Sequence, residues 1–323
     1  MHHANAFVLG QMVEGNNKFY QNIPVMNKQW GSNLVVQIGT CCPNEAALAT
    51  ERLVRAGANE INLNVGCPSD NVQSGKFGCV LMKDPRRVAQ ICKSMVDAAD
   101  NKANISVKCR IGVDNEESVE FLYNFIETVS LIGGIKLFII HARRAWLKGL
   151  SPKQNRSIPQ LNYNLVNECT RLFSDLAFVL NGGISDVESI EDHLETMDGV
   201  MLGRKIMNDP WFLQKLDRDL YGVNEFPNHD DIFKDYLRYA DEIQEKYSCR
   251  STVLAKPAFA FFNGAKARAF RGNLTKLLSK AKMSSNDPAF NSNSVKFSTL
   301  VHESIEQSKR DFLKTYKPNM PTL

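Results

Sequence analysis

Short apolar runs alternate with longer amphipathic stretches from residue 34 to about residue 222. The short runs are rich in β-branched residues and predict strands, and the longer stretches have the spacing of helices. Strands that alternate with helices predict a parallel sheet in an α/β fold. The predicted strands are Leu34–Ile38, Glu60–Val65, Ile105–Cys109, Leu137–His141, Ala177–Asn181 and Gly199–Leu202. The predicted helices between them are Asn44–Ala56, Pro85–Ala99, Glu116–Ile132, Asn164–Phe173 and Asp186–Leu194.

Polar or reactive side chains come at the carboxyl end of nearly every predicted strand, and this favours a TIM (β/α)8 barrel. In that fold the carboxyl ends of the strands form the active-site rim, and phosphate is often bound after the last two strands. A closed barrel needs eight strand–helix units, whereas the pattern predicts six. Either the sheet is open or the N-terminal units are absent. The strand-end residues are Gln37, Asn64, Cys67, Lys108, Arg110, His141, Asn181, Gly203 and Arg204.

The pattern changes after residue 222. Residues 229–282 predict about three helices without strands, residues 283–298 are rich in Ser and Asn, and a last helix is predicted over 300–314. Ser/Asn-rich composition is typical of linkers. We therefore predict a barrel domain over 1–222, a helical domain over 223–282, and a flexible linker with a helical tail over 283–323.

Charge is distributed unevenly along the chain. The 323 residues carry a net charge of +4, but residues 246–282 contain nine Lys or Arg and no Asp or Glu, which leaves 30 basic and 35 acidic residues elsewhere. Four phenylalanines lie within this basic segment. Cations interleaved with aromatic rings suit a surface that binds nucleic acid. The alternative is a solvated helical face, but such faces normally mix both signs.

Several classes of protein are disfavoured by composition. No apolar run approaches the ~18 residues of a membrane span, and the first residues lack the basic, apolar pattern of a secretory signal. Eight cysteines are too sparse for a disulfide scaffold, and without a CxxC pair a structural zinc site is not expected. We expect an intracellular protein with reduced thiols, no metal and no membrane contact.

Three strand-end side chains could carry chemistry. The Cys67 thiol, in a Gly-Cys-Pro turn, could be a nucleophile or a proton donor, or only a small buried apolar group. Lys108 could meet an anionic ligand or the electron-rich edge of a flavin, or could point to solvent. His141 could bind a ligand, although a single His is more often a hydrogen-bonded core residue.

At these residues the sequence resembles the tRNA-dihydrouridine synthases, specifically the bacterial A-type subfamily. The resemblance covers roughly residues 1–280, and the run from Asn62 to Asp70 together with the loop from Trp146 to Arg156 is highly specific. The similar segments are Val36–Gly39, Glu60–Asp70, Gly75–Gly78, Val107–Gly112, Phe138–Arg143, Ala145–Lys153, Asn181–Ile184 and Asp198–Arg204.

The resemblance implies a flavin barrel followed by a helical tRNA-binding domain. It implies that NADPH reduces FMN, that uridine in the tRNA D-loop is reduced to dihydrouridine, and that Cys67 is the general acid. We expect a cytoplasmic monomer, or an organellar one if a transit peptide was lost with the N-terminus. The resemblance assigns FMN binding to Gln37, Lys108, His141, Asn181, Gly182, Gly183, Gly203 and Arg204. It assigns tRNA contact to Asn64, Lys153 and Arg156, and selection of the tRNA orientation to Arg268 and Arg271.

The family begins with a strand ending in an Ala-Pro-Met turn and a second strand, and this sequence contains neither. We therefore expect a barrel that lacks its first two βα units and holds FMN weakly. Two alternatives stay open. One is a flavin dehydrogenase that acts on a small molecule with the same barrel, and the other is a truncated tRNA-binding form without catalysis.

Overall fold

The computed structural model describes residues 2–9, 34–247, 249–262, 264–284 and 295–315. The chain divides into two compact units, Met1–Leu202 and Gly203–Leu323. All of the strands assigned over the described residues belong to the first unit, and the second unit is helical there. No helix within these ranges is long and apolar enough to cross a membrane.

The first unit is built on one parallel sheet whose strands neighbour one another in chain order. Each neighbouring pair is parallel, and sequential parallel order is the strand order of a (β/α)8 barrel wall. The predicted parallel α/β architecture followed by helices is confirmed, and the absence of two βα units stays a prediction. The strands are β1 (His2–His3), β2 (Val35–Gly39), β3 (Glu60–Asn64), β4 (Asn104–Arg110), β5 (Leu137–His141), β6 (Ala177–Asn181) and β7 (Gly199–Met201).

Strand β1 was not predicted from the sequence. His2 pairs with Ile38 and His3 pairs with Gly39, so this short strand lies at the outer edge of β2. Two residues are too few to show an alternation of apolar and polar positions. The sequence pattern therefore gives no indication of this strand. Over the part of the chain that the structure describes, the sheet has seven strands rather than the six that the pattern indicates.

Local capping sets the boundaries of the helices between the strands. The Asp84 side chain accepts a hydrogen bond from the Arg87 N–H at the start of one helix, and Ser118 does the same for Phe121 in the next. Because Ser118 is a cap, that helix begins at Val119 and not at Glu116 as predicted. The helices of this unit are α1 (Ala4–Leu9), α2 (Pro43–Arg55), α3 (Asp70–Ser74), α4 (Pro85–Ala99), α5 (Val119–Gly133), α6 (Tyr163–Leu172) and α7 (Val187–Leu194).

The two faces of the sheet differ in polarity. On β3, Ile61 and Leu63 are fully buried apolar residues, while Asn62 and Asn64 alternate with them. Because successive side chains of a strand point to opposite faces, the sheet has one apolar face and one face that carries polar groups. Of the strand-end residues predicted from the sequence, this polar face holds Gln37, Asn64, Lys108, Arg110, His141 and Asn181.

The second unit surrounds an apolar core of its own. Its last helix was predicted over 300–314 and is observed over Phe297–Thr315. Phe297, Leu300 and Val301 of that helix are core residues. The helix before it continues to Ser284, and residues 285–294 of the predicted linker lie outside the described residues. The helices are α8 (Arg204–Asn208), α9 (Phe212–Tyr221), α10 (His229–Tyr247), α11 (Ser251–Ala258), α12 (Gly264–Ser284) and α13 (Phe297–Thr315).

Candidate active site

A cavity of about 500 Å³ opens at the carboxyl ends of the strands. Its volume lies within the range of small-molecule and cofactor sites. The alternation described above places Gln37, Lys108, His141 and Asn181 on the face that lines it, as the sequence predicted. The lining residues are Val35, Gln37, Asn62, Asn64, Gly66, Cys67, Pro68, Lys108, Cys109, Arg110, Ile139, His141, Pro152, Arg156, Asn181 and Met201.

The Cys67 thiol is half-buried at the cavity wall, in a loop held by its backbone. The Asn64 side-chain oxygen accepts hydrogen bonds from the Gly66 and Cys67 N–H groups at 3.2 and 3.0 Å. From the other side, the Cys79 N–H donates to the Cys67 carbonyl at 2.9 Å. The thiol lies 3.4 Å from the Ser69 hydroxyl. These contacts fix the loop, so the sulfur has a defined position in the cavity.

A relay of side-chain amides crosses three strands and ends at the Cys67 loop. Asn62 donates to the Ser106 hydroxyl at 2.9 Å, Gln37 donates to Asn62 at 2.7 Å, and Asn64 donates to Gln37 at 2.9 Å. Asn62 and Ser106 are 2% exposed, so water cannot reach their polar groups and each serves as a hydrogen-bond partner for the other. Neither residue was predicted from the sequence as part of the site, although period-2 alternation places both on the same face as Asn64 and Lys108.

Lys108 supplies a positive charge to the cavity. Its Nζ donates to Asn181 Oδ1 at 2.9 Å, and the Asn181 amide donates to the Met201 carbonyl at 2.7 Å. Loss of water around the ammonium lowers the pKa of Lys108 to about 8. None of the described residues that line the cavity is acidic. An enclosed cation without a carboxylate partner suits an anionic or electron-rich ligand, and a flavin ring is such a ligand.

His141 and the two glycines after β6 pack closely together. His141 is 8% exposed. Gly182 has φ +117°, and a Cβ there would lie 2.5 Å from the His141 ring. Gly183 has φ +77°, and its Cβ would lie 2.6 Å from the Leu161 side chain. Both glycines are required by their backbone conformation and neighbours. Their predicted FMN contacts stay predictions.

Gly203 and Arg204, predicted to bind the same cofactor, begin the second unit. Arg204 is the first residue of α8. A Cβ on Gly203 would meet no atom within 4 Å, so packing does not explain this glycine.

Lys153 and Arg156 lie in a long loop after β5 that a buried asparagine organises. The Asn155 side chain donates to the Trp146 and Leu150 carbonyls at 2.9 and 3.1 Å, and it accepts from the Trp146 N–H at 2.8 Å. Lys153 and Arg156 are exposed side chains of this loop, and Arg156 also lines the cavity.

Arg268 and Arg271 are both exposed on α12, three residues apart, as predicted. Arg271 also has a local task, because its guanidinium donates to the Phe259 and Phe262 carbonyls at 3.2 and 3.0 Å. The side chains of seven of the nine cations in the 246–282 segment are described, and all seven are exposed: Lys246, Arg250, Lys256, Arg268, Arg271, Lys276 and Lys280.

The phenylalanines of that segment do not form the stacking surface that their interleaving suggested. Phe270 is 3% exposed in the core, and Phe259 and Phe262 pack against the same core. Phe261 contacts the ring of Trp211 edge-on at 5.3 Å between centroids. Phe270 lies on α12 and the other three phenylalanines lie between α11 and α12, and all four rings pack against other residues while the described cations face solvent.

Among solved structures, morphinone reductase in complex with tetrahydroNAD is similar with a TM-score of 0.38 and 12% identity, over 58% of this chain and 50% of that one. A likeness at this level supports no argument about function.

Comparison with curated proteins is more informative. The "tRNA-dihydrouridine(20/20a) synthase" of Vibrio parahaemolyticus is 40% identical over 226 residues, which cover 70% of this chain and 66% of that protein. The protein of the same name from Escherichia coli K12 is 45% identical over 192 residues, 59% of this chain and 55% of that one. This chain therefore spans less than two-thirds of the length of these relatives. The family model described as "Dihydrouridine synthase (Dus)" matches residues 6–293. The chain belongs to the dihydrouridine synthase family.

Proposed function

We propose that this chain reduces uridine to 5,6-dihydrouridine in the D-loop of tRNA, with FMN as cofactor and NADPH as reductant, and that it acts as a monomer. One observation carries the proposal: the Cys67 thiol and the Lys108 ammonium line the same cavity at the carboxyl ends of parallel strands. A proton donor and an enclosed positive charge are the two groups that such a reduction needs beside a flavin.

The residues at the cavity fit a flavin mononucleotide. Lys108, Gln37, His141 and Asn181 would hold the ring, and the Lys108 charge would offset the negative charge that the ring gains on reduction. Gly182 and Gly183 would bind the phosphate end. FMN contacts of Gly203 and Arg204, at the start of the second unit, stay predictions from the resemblance. When bound, the flavin supplies a hydride to C6 of the uracil.

Cys67 would complete the reduction of the C5–C6 double bond by donating its proton to C5. Hydride at C6 without that proton would leave a costly negative charge on the base, so a positioned acid accelerates the step. The Asn64 contacts to the Gly66 and Cys67 N–H groups hold the thiol where a base in the cavity can meet it. The Cys67 thiolate then regains a proton from solvent.

A uridine inside folded tRNA must leave its stack to enter the cavity, and unstacking costs a few kcal/mol. Asn64, Lys153 and Arg156 would contact the RNA near the cavity, and Arg268 and Arg271 would contact it on α12. The exposed cations of residues 246–282 would neutralise backbone phosphates and give binding that weakens with salt.

Substitution Cys67→Ala tests the mechanism. We expect dihydrouridine formation to fall by about 100-fold or more, because the proton donor is lost. Reduction of bound flavin by NADPH, followed by its absorbance, should continue at the unsubstituted rate. The matched control is Cys249→Ala, since Cys249 is also half-buried but lies in the second unit. Unchanged dihydrouridine in the Cys67 variant contradicts the general-acid role.

The same assays separate the two alternatives. A dehydrogenase of small molecules would oxidise NADPH with free pyrimidines and not with unmodified tRNA. A non-catalytic RNA-binding form would bind tRNA but release no fluorescent flavin when the purified protein is denatured.

A further inference from the structure

Two loops meet at the mouth of the cavity. The first, residues 65–69, carries Cys67, and we call it the cysteine loop. The second, residues 144–157, carries Lys153 and Arg156, and we call it the β5 loop. The two loops are far apart in sequence, so tertiary contacts alone set the distance between the proton donor and the exposed cations of the β5 loop.

One side-chain amide binds both loops. Gln73 Nε2 donates to the Pro68 carbonyl and to the Leu147 carbonyl, each at 2.8 Å. Gln73 lies on α3, which begins directly after the cysteine loop. Both of its amide hydrogens are therefore used, one for each loop, and neither carbonyl can move away without losing its donor.

The Leu147 peptide is held at its other end as well. The Leu147 N–H donates to Asp114 Oδ1 at 2.9 Å, and Asp114 also accepts from Lys83 at 2.6 Å. Because Asp114 anchors the N–H and Gln73 anchors the carbonyl, this residue of the β5 loop has a fixed orientation. Loss of the Gln73 bond would leave Asp114 as the partner of this residue on the N–H side alone.

Arg110 provides a second connection between the same two loops. Its Nε donates to the Gly66 carbonyl at 3.0 Å, and its Nη1 donates to the Arg144 and Asn155 carbonyls at 3.0 and 2.8 Å. Arg110 is 3% exposed, and burial lowers its pKa. Arg110 thus holds the residue before Cys67 and Gln73 holds the residue after it, in addition to the bond from the Cys79 N–H to the Cys67 carbonyl.

We infer that Gln73 is a positioning residue that couples the cysteine loop to the β5 loop, so that RNA bound at the β5 loop meets a correctly placed Cys67 thiol. This inference rests on the proposed function. It assigns Gln73 no contact with uracil or flavin. Gln73 acts through the backbone on either side: Pro68 directly follows Cys67, and Leu147 lies in the loop of Lys153 and Arg156.

Two substitutions test the coupling. Gln73→Met keeps the length of the side chain and removes both donors, and Gln73→Glu places negative oxygens against two carbonyls. In both variants we expect the kcat for dihydrouridine formation to fall by between about 10- and 100-fold, the size of effect that small misplacements of catalytic groups produce. The KM for tRNA and the rate of flavin reduction by NADPH should stay within about twofold. The control is Gln90→Met, an exposed glutamine on α4.

Two readouts are independent of activity. The Leu147 amide should exchange hydrogen for deuterium faster in the Gln73 variants than in the control, and the half-buried Cys67 thiol should be alkylated faster by N-ethylmaleimide. If the unsubstituted chain makes no dihydrouridine, the proposed function fails, but these two rates still test the coupling. Unchanged exchange and alkylation overturn the inference. So does loss of bound flavin or of thermal stability in parallel with kcat, because that pattern reports a general structural role.

Discussion

Two groups of cations, one in each unit, differ in exposure and in what they contact. In the first unit, Lys108 and Arg110 lie side by side on the polar face of β4, enclosed by the protein and bonded to carbonyl oxygens. In the second unit, the seven described cations of residues 246–282 are exposed. An enclosed cation acts through the geometry of a few bonds, whereas exposed cations act through a summed field that salt screens. The first arrangement fits chemistry on one base, and the second fits attachment to a polyanion.

The largest difference between the two arrangements should appear in stability. Arg110→Met removes three hydrogen bonds from a charged donor and leaves three carbonyls of the loops without it, so we expect the free energy of unfolding to fall by about 3 kcal/mol. Arg268→Met, on the exposed surface, should change it by less than about 0.5 kcal/mol. Urea denaturation of both variants measures the contrast.

Arg110→Lys sharpens this test. A lysine keeps the charge but lacks the planar fork that reaches three carbonyls, so its stability should lie between those of the unsubstituted chain and Arg110→Met. Equal stability of the Arg110→Met and Arg268→Met variants would contradict the distinction between the enclosed and exposed cations.

The enclosed cations also show how far the sequence alone leads. The positions of Gln37, Lys108, His141 and Asn181 on one cavity wall were predictable, because parallel strands align their carboxyl ends and side chains alternate with period two. The role of Arg110 was not predictable. Its partners are backbone carbonyls 34 to 45 residues away, and carbonyls leave no signature in a sequence.

The phenylalanines of the second unit show a different limit. Phe270 faces the core and Arg271 faces solvent, yet an RNA surface with interleaved rings would have the same order of residues. Whether a ring is buried or faces RNA depends on which other helices pack against it. Helix α13 is one of these, because its Phe297 belongs to the same core as Phe270. Sequence pattern located the helices but not which face each one buries.

The next largest effect concerns the flavin. Lys108→Met removes the enclosed charge, so we expect the affinity for FMN to fall by between about 10- and 100-fold, the value of one hydrogen bond to a charged group. Fluorescence titration of the flavin-free protein measures the dissociation constant. Lys276→Met is the control, because Lys276 is an exposed cation of the second unit. Equal loss in both variants would show that position in the cavity is irrelevant.

Lys108 also gives the flavin-free protein a pH dependence. Its pKa in the folded chain is about 8, below the ordinary value of 10.5, because the ammonium has lost water. Between these two pH values the unfolded chain binds more protons at this residue than the folded chain, so stability should rise as pH increases through this window. FMN binding should weaken over the same window because the charge is lost. Both trends should be absent in Lys108→Met.

The smallest effects separate two neighbours on the exposed side. Arg268→Met and Arg271→Met should each reduce the slope of log affinity for tRNA against log salt concentration by about 1, because each arginine neutralises about one phosphate. Only Arg271→Met should also lower the free energy of unfolding, by about 1 kcal/mol, because Arg271 alone of the two donates to the Phe259 and Phe262 carbonyls. Filter binding at several salt concentrations and urea denaturation measure the two quantities. If Arg271→Met lowers stability but leaves the salt slope unchanged, Arg271 acts like Arg110, through hydrogen bonds to carbonyls. The RNA-binding surface would then contain fewer cations than the nine of residues 246–282.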